Sequence, residues 1–158
     1  MIEIDITEDM VAKAFRKAKE MGELRQSITR GDGNLAGFIG EQVVWQILGG
    51  EWANTYDYDI IAKDGSTVDV KTKRTGVTPL PHYDCSVSGL NAKQKCDKYA
   101  FVRILNNNTK AWYLGTIDKD VFYENATFIK KGEVDPSNNF KAKSDMYNLT
   151  IAKLKELA

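Results

Sequence analysis

Apolar residues recur at helical spacing near the start of the chain. In residues 7–24 they include Val11 and Ala14, and Thr7 is a suitable N-cap. The segment 27–34 interrupts this pattern with glycines and is predicted to be a loop. The first segment therefore predicts an amphipathic helix that packs one face on a core.

A second helix is predicted over residues 34–48. Asn34 is its expected cap, and the glycines at 49–50 are its expected end. Ile39 and Val43 lie on one face at helical spacing and mark the side that packs on the core.

Two glycines, Gly37 and Gly40, lie inside this second helix. Each costs about 1 kcal/mol relative to alanine in a helix interior, and close approach to another element is the usual compensation. Glu41 lies on the flank of the apolar face. A carboxylate in that position is partly buried and needs a partner.

The middle of the chain changes to strand patterns. Residues 58–62 and 67–73 alternate on either side of the turn residues 63–65, which predicts a hairpin. Further strands are predicted at 83–88, 98–105, 111–117 and 146–151, with short helices at 89–96, 118–125 and the C-terminus. The order α-β-β-β-α-β, followed by extra strands and a helix, predicts an α/β domain with a mixed central sheet flanked by helices.

Composition narrows the function classes. At 158 residues with 42% hydrophobic content, the chain is expected to form one globular domain. The net charge is zero, so a nucleic-acid surface would have to be a local patch. Cys85 and Cys96 lack zinc-site spacing, so a metal, if the protein binds one, would have to be a hard cation with oxygen ligands. No signal peptide or membrane span is evident, which predicts a cytoplasmic protein.

The segment STVDVKTKR carries the first chemical signal. Alternation places Asp69 and Lys71 on one strand face, with Val68 and Val70 on the other. A solvated strand face is the simple explanation for such charges. A carboxylate beside an ammonium group is also what half of an active site would present.

The loop length of the hairpin decides whether Asp59 joins them. A two-residue turn would pair Asp59 with Val70 and place it on the wrong side of the sheet. A three-residue loop would place it opposite Asp69, with Cβ atoms about 4.5–5.5 Å apart. Two carboxylates that close repel unless a cation lies between them. A shared Mg²⁺ would meet that need, and Lys71 could then hold a phosphate oxygen or a metal-bound water.

These residues resemble the motif of the PD-(D/E)XK nuclease superfamily. The matching positions are Glu41 in GFIGEQVV, Asp59 in YDYDI and 69–71 in VDVKTKR, although Tyr58 replaces the proline that names the motif. The resemblance implies a restriction-endonuclease-like αβββαβ core over about 34–105. Residues 1–33 would then be an N-terminal helical extension of the single domain, and 106–158 a C-terminal elaboration.

The resemblance also implies a function and a cofactor. A member of this superfamily would hydrolyse phosphodiester bonds in DNA with Mg²⁺, and Mn²⁺ would substitute. Asp59, Asp69 and the Val70 carbonyl would hold the metal, with Glu41 joining directly or through water. Lys71 would orient the attacking water. An endonuclease is expected, of the compact kind encoded by phages or mobile elements, and a homodimer would supply two sites for a duplex.

Basic and polar residues near the motif are candidate nucleic-acid contacts. They are Lys73, Arg74, Lys93, Gln94 and Lys95. The three tryptophans are expected in the core. The alternative function is a catalytically inert nucleic-acid-binding or assembly domain that keeps the same fold.

Overall fold

A computed structural model describes residues 1–24, 32–53, 55–137 and 139–158, with the side chains of 21–24 and 32–34 outside that description. Its helices are α1 Glu8–Leu24, α2 Asp32–Leu48, α3 Lys119–Asn125 and α4 Ile151–Leu157. Its strands are β1 Ile2–Asp5, β2 Glu51–Trp52, β3 Ile60–Ile61, β4 Thr67–Thr75, β5 Asp84–Ser88, β6 Lys98–Leu105, β7 Lys110–Asp118, β8 Thr127–Ile129 and β9 Met146–Thr150. A 3₁₀ turn, Gly89–Asn91, follows β5.

The main sheet has six strands in the order β1-β7-β6-β4-β3-β2. The central pair, β4 and β6, is parallel, whereas its other neighbours pair antiparallel. The predicted α/β class with a mixed sheet is therefore confirmed. The prediction of a single sheet is wrong, because β5, β9 and β8 form a second sheet of three strands.

Two apolar clusters lie on opposite faces of the main sheet, as strand alternation requires. The first joins α1 and α2 to β4, β6 and β7 through residues such as Ile39, Val68 and Val102. The second joins the other face to β5, β9, α3 and α4 through residues such as Tyr99 and Phe122. The main sheet is thus covered on both sides.

The start of α1 and the end of α2 have identifiable local reasons. Thr7 Oγ1 accepts a hydrogen bond from Met10 N at 3.2 Å, which confirms the predicted N-cap of α1. The structure starts α2 at Asp32, so the predicted cap at Asn34 is wrong. Helix α2 ends at Leu48 and is followed by Gly49 and Gly50, whose φ values of 69° and 84° suit glycine. Most of the predicted loop at 27–34 lies outside the described residues.

The strand predictions succeed where strands are long and buried. The segments 98–105 and 111–117 correspond to β6 and β7. The predicted strand at 58–62 is reduced to β3, and the predicted helix at 89–96 to the 3₁₀ turn. The strand at 83–88 exists as β5 but pairs with β9. Sequence patterns did not predict β1, β2 or β8, which are short and largely exposed.

Both cysteines are buried and free of disulfide bonds. In the described part of the chain, no helix is long and apolar enough to cross a membrane.

Candidate active site

Asp69 and Lys71 lie on the face of β4 that is turned away from α1 and α2. The side chain of Asp69 is buried, with 7% of its surface exposed. Lys71 Nζ lies 2.7 Å from Asp69 Oδ2. Among the described residues no donor makes a hydrogen bond with that oxygen, so the contact is an ion pair without hydrogen-bond alignment. A solvated strand face is thereby excluded for this pair.

The hairpin has the predicted three-residue loop. Ala62 N donates to Ser66 O at 2.8 Å, and Ile60 pairs with Val68. The predicted direct pair of Asp59 with Asp69 does not form, because Asp59 N donates to the same Val68 at its carbonyl oxygen. Asp59 and Ile60 therefore both lie opposite Val68, which is the arrangement of a β-bulge and places Asp59 outside the regular ladder.

The bulge turns the Asp59 carboxylate across the edge of β4. Asp59 Oδ2 accepts a hydrogen bond from Val70 N at 2.8 Å and takes the place that a continued β3 would occupy. In this position Asp59 lies close enough to Glu41 and Asp69 for the charge of each to act on it. The N–H and C=O of one strand residue point to the same side, so the Val70 carbonyl faces this edge too.

Glu41 reaches the same edge from α2, on the other side of the sheet. Its side chain is 6% exposed, and its Oε1 accepts a hydrogen bond from Trp52 Nε1 at 2.9 Å. Gly40 makes this approach possible, because a Cβ at that position would overlap the Thr72 side chain of β4. Lys17 of α1 lies over the Trp52 ring, 3.5 Å from its centroid.

The charges of the lysines near the three carboxyl groups, Lys17 and Lys71, do not offset the effect of burial on the carboxyl pKa values. Burial raises the pKa of Glu41 to about 7, against the opposing effects of the Trp52 hydrogen bond and the Lys17 charge. Burial, with the charges of Glu41 and Asp69, raises the pKa of Asp59 to about 9. Burial also raises the pKa of Asp69, although Lys71 counteracts it. Burial and mutual repulsion therefore favour the protonated forms of these carboxyl groups.

Gln94 connects Asp69 and Lys71 from the loop before β6. Its Nε2 donates to Asp69 Oδ1 at 3.3 Å and to Tyr56 O at 3.1 Å, and its Oε1 accepts from Lys71 Nζ at 3.0 Å. Gln94 was a predicted nucleic-acid contact, but the structure buries it inside the site, where it orients Lys71 instead. The sequence placed Gln94 near the site, because its predicted helix at 89–96 follows the strand at 83–88, but it did not indicate the bonds to Asp69 and Lys71.

The remaining predicted contacts are dispersed. Lys73 lies on the same face as Lys71, but its Nζ donates to Ser86 Oγ at 2.6 Å. Arg74 lies on the opposite face of β4 and donates to Asn108 Oδ1 at 2.8 Å. The two other predicted contacts, Lys93 and Lys95, are exposed on either side of Gln94.

The oxygen atoms of these carboxyl groups are of the kind that binds a hard divalent cation, but they are not arranged around one point. In the described ranges, no three His, Cys, Asp or Glu side chains are placed so that they could hold a metal ion. The Lys71 ammonium takes the position beside Asp69, and Val70 N takes one oxygen of Asp59. The Asp69 oxygen that lacks a hydrogen bond, the carboxyls that keep protons and the Val70 carbonyl nevertheless fit Mg²⁺, which prefers oxygen ligands.

Sequence reasoning missed two residues of the site, Trp52 and Lys17. Trp52 was assigned to the core, and Lys17 lies in an ordinary charged stretch of α1. No protein-family model matches the chain, and no curated protein is significantly similar to it. The geometry of the site is therefore the basis for assigning a function.

Proposed function

We propose that the protein is a Mg²⁺-dependent endonuclease of the PD-(D/E)XK type that hydrolyses phosphodiester bonds in DNA. One observation carries this proposal. The side chains of Glu41, Asp59 and Asp69, which come from α2, the bulge before β3 and β4, converge with Lys71 at one sheet edge. Three carboxylates beside a lysine supply both metal ligands and a cation for a phosphate.

The topology supports the same proposal. Helix α2 is followed by β2, β3 and β4 as antiparallel neighbours, and β6 then pairs with β4 in parallel. This order of elements is similar to the expected αβββαβ core but not identical to it, because the strand predicted as its third, 83–88, lies in the second sheet and β2 supplies a further strand before β3. The 3₁₀ turn stands where that order has its second helix, and β5 is an addition on the way to it.

Each residue has a separate part in the proposed reaction. Asp59, Asp69 and the Val70 carbonyl would hold Mg²⁺ or Mn²⁺, with Glu41 as a further ligand directly or through water. Bound there, the metal supplies charge for the phosphate and lowers the pKa of a coordinated water. Lys71 exchanges its contact with Asp69 for one with the attacking water or the phosphate, and Gln94 keeps the ammonium in place.

The surroundings of the site suit a nucleic-acid strand. Tyr56, whose carbonyl oxygen bonds to Gln94, has 67% of its surface exposed, and exposed aromatic rings stack on bases. Lys93 and Lys95 provide exposed positive charge on the same loop as Gln94. Such lysines contact phosphates without regard to base sequence.

The second candidate is an inert nucleic-acid-binding domain with the same fold. The 2.7 Å ion pair of Lys71 and Asp69 favours it, because that pair neutralises the site without a metal. The two candidates differ in one respect that can be measured. The nuclease requires Lys71 to leave Asp69 when a divalent cation binds.

Incubation with supercoiled, linear and single-stranded DNA in Mg²⁺, Mn²⁺ or EDTA tests the proposal. Wild-type protein is expected to nick or linearise supercoiled DNA in either metal and to be inactive in EDTA. Asp69→Ala should remove activity because it removes a ligand and the partner of Lys71. Lys71→Met should reduce the rate about 10²–10³-fold, as is typical when one stabilising group is lost from a transition state.

Asp120→Asn is the matched control, since it removes an exposed carboxylate on α3 and should leave cleavage unchanged. DNA binding without cleavage in any metal would refute the nuclease and support the inert domain. Degradation of linear DNA alone would refute the endonuclease and indicate an exonuclease.

A further inference from the structure

A second polar cluster lies on the same face of β4 as Lys71, two residues further along the strand. It surrounds a cavity of about 350 Å³ between the main sheet and the second sheet. The cavity is lined by Lys73, Arg103, Asp84, Tyr83, Asn148 and His82, among others. The acid cluster does not account for these residues.

Two cations face this cavity from adjacent strands. Lys73 of β4 and Arg103 of β6 are direct partners in the parallel register, so their side chains lie on one face. Partners on neighbouring strands are about 4.8 Å apart, and like charges at that distance destabilise a sheet. Asp84 is the acidic side chain beside them, which leaves two basic groups against one carboxylate.

The hydrogen bonds of Lys73 and Arg103 leave a buried donor of Arg103 without an acceptor in the described part of the chain. Lys73 Nζ donates to Ser86 Oγ, and Arg103 Nη2 donates to the Asp84 carbonyl oxygen at 2.7 Å. Within the described ranges no acceptor reaches Arg103 Nε, although that atom is buried. A buried guanidinium nitrogen without an acceptor is costly, and a bound anion would relieve that cost.

Both cations are also held in a poorly solvated position. Burial, followed by the charge of Arg103, lowers the pKa of Lys73. Burial lowers the pKa of Arg103 as well. Two buried cations therefore lie side by side with one carboxylate near them, an arrangement that a bound anion would stabilise.

We propose that Lys73 and Arg103 bind a phosphate group of the nucleic-acid strand whose neighbouring linkage is cut at Lys71. The substrate in this inference rests on the proposed nuclease function. Two residues along a β-strand span about 7 Å. Adjacent phosphates of a nucleic-acid strand lie at a comparable through-space distance, which exceeds the axial rise of about 3.4 Å because the strand winds around its axis. Lys71, Lys73 and Arg103 also line one small cleft.

The phosphate has two potential sources, an internal linkage or a 5′-terminal monophosphate. Binding is measured in EDTA by fluorescence anisotropy, with one oligonucleotide carrying either a 5′-phosphate or a 5′-hydroxyl. Lys73→Met and Arg103→Met should each weaken binding at least 10-fold and reduce the slope of log K against log salt by about 1. A preference for the 5′-phosphate that both variants abolish indicates the terminal source, and equal losses with both oligonucleotides indicate an internal linkage.

Arg74→Met is the matched control, because Arg74 is the next cation on β4 but lies on the opposite face. Unchanged affinity and salt slope in Lys73→Met and Arg103→Met, or an equal loss in Arg74→Met, would overturn the inference. Inorganic phosphate titrated into wild-type protein provides a test that needs no variant. It should shift the side-chain NMR signals of Lys73 and Arg103, and unshifted signals at tens of millimolar phosphate would overturn the inference.

The result separates this inference from the nuclease proposal. DNA cleavage by wild type together with unaltered binding by Lys73→Met would reject the phosphate pocket and retain the nuclease. Phosphate binding that Lys73→Met abolishes, without cleavage of DNA by wild type, would retain the pocket and reject the nuclease.

Discussion

Replacing Glu41 by glutamine should stabilise the metal-free protein at high pH. Burial raises the pKa of Glu41 from 4.5 to about 7 in the folded state, so the folded protein holds a proton that the unfolded chain has released. The stability that protonated Glu41 contributes is therefore fully present below about pH 4.5 and is lost as the pH rises through 7. Glutamine keeps an oxygen for the Trp52 indole but never acquires the charge.

The size of the effect follows from that shift. The difference between a Glu41 pKa of 4.5 in the unfolded chain and about 7 in the folded protein corresponds to roughly 3 kcal/mol of unfolding free energy above pH 7, at about 1.4 kcal/mol per pH unit. For a chain of 158 residues, this corresponds to a difference in melting temperature of about 6–12 °C. The difference should widen further toward pH 9, because loss of the Glu41 charge also lowers the pKa of Asp59.

Thermal unfolding in EDTA at pH 5, 7 and 8.5 provides the measurement. Glu41→Gln should melt close to wild type at pH 5 and well above it at pH 8.5. Saturating Mg²⁺ should stabilise wild type more than the variant, since metal binding requires the ionised carboxylate. Glu51→Gln, at an exposed carboxylate of β2, should change the melting temperature little at any pH. A difference that does not depend on pH, or a variant that is less stable at pH 8.5, would refute the reasoning.

Two further predictions test how α2 is positioned. Trp52→Phe removes the hydrogen bond to Glu41 and should therefore raise the Glu41 pKa. The acid limb of the Mg²⁺-dependent pH–rate profile should move to higher pH by about one pH unit, and an unmoved limb would contradict this. Gly40→Ala should cost about 1–3 kcal/mol in urea unfolding, because its Cβ would overlap Thr72. Gly37→Ala has no atom within 4 Å of its Cβ and should instead gain up to about 1 kcal/mol, so equal effects at the two glycines would rule out the close approach.

The chemical residues of the site could be predicted from sequence because their signals are local. Alternation within β4 places Asp69 and Lys71 on one face whatever surrounds the strand. The length of the 63–65 loop sets the register of Ile60 against Val68, and the structure has that register. Glu41 could be identified because a carboxylate on the flank of an apolar helix face needs a partner.

Other parts of the site could not be predicted because they join distant segments. Trp52 and Lys17 reach Glu41 only after α1, α2 and β2 have packed together. Gln94 was expected on a helix, but the structure places it in a loop where its amide bonds to both Asp69 and Lys71. Nothing in a local pattern specifies such a bridge.

The sequence alone determined which carboxylates and which lysine could act together, since strand alternation and hairpin length depend on neighbouring residues. The tertiary structure decided how they meet. Asp59 lies in a bulge and is not paired with Asp69. Helix α2 packs closely on β4 because Gly40 has no Cβ that would overlap Thr72. It also moved β5 into a second sheet, which creates the cavity beside Lys73 and Arg103. Each of these outcomes depends on packing between segments far apart in the chain, and periodicity carries no information about such packing.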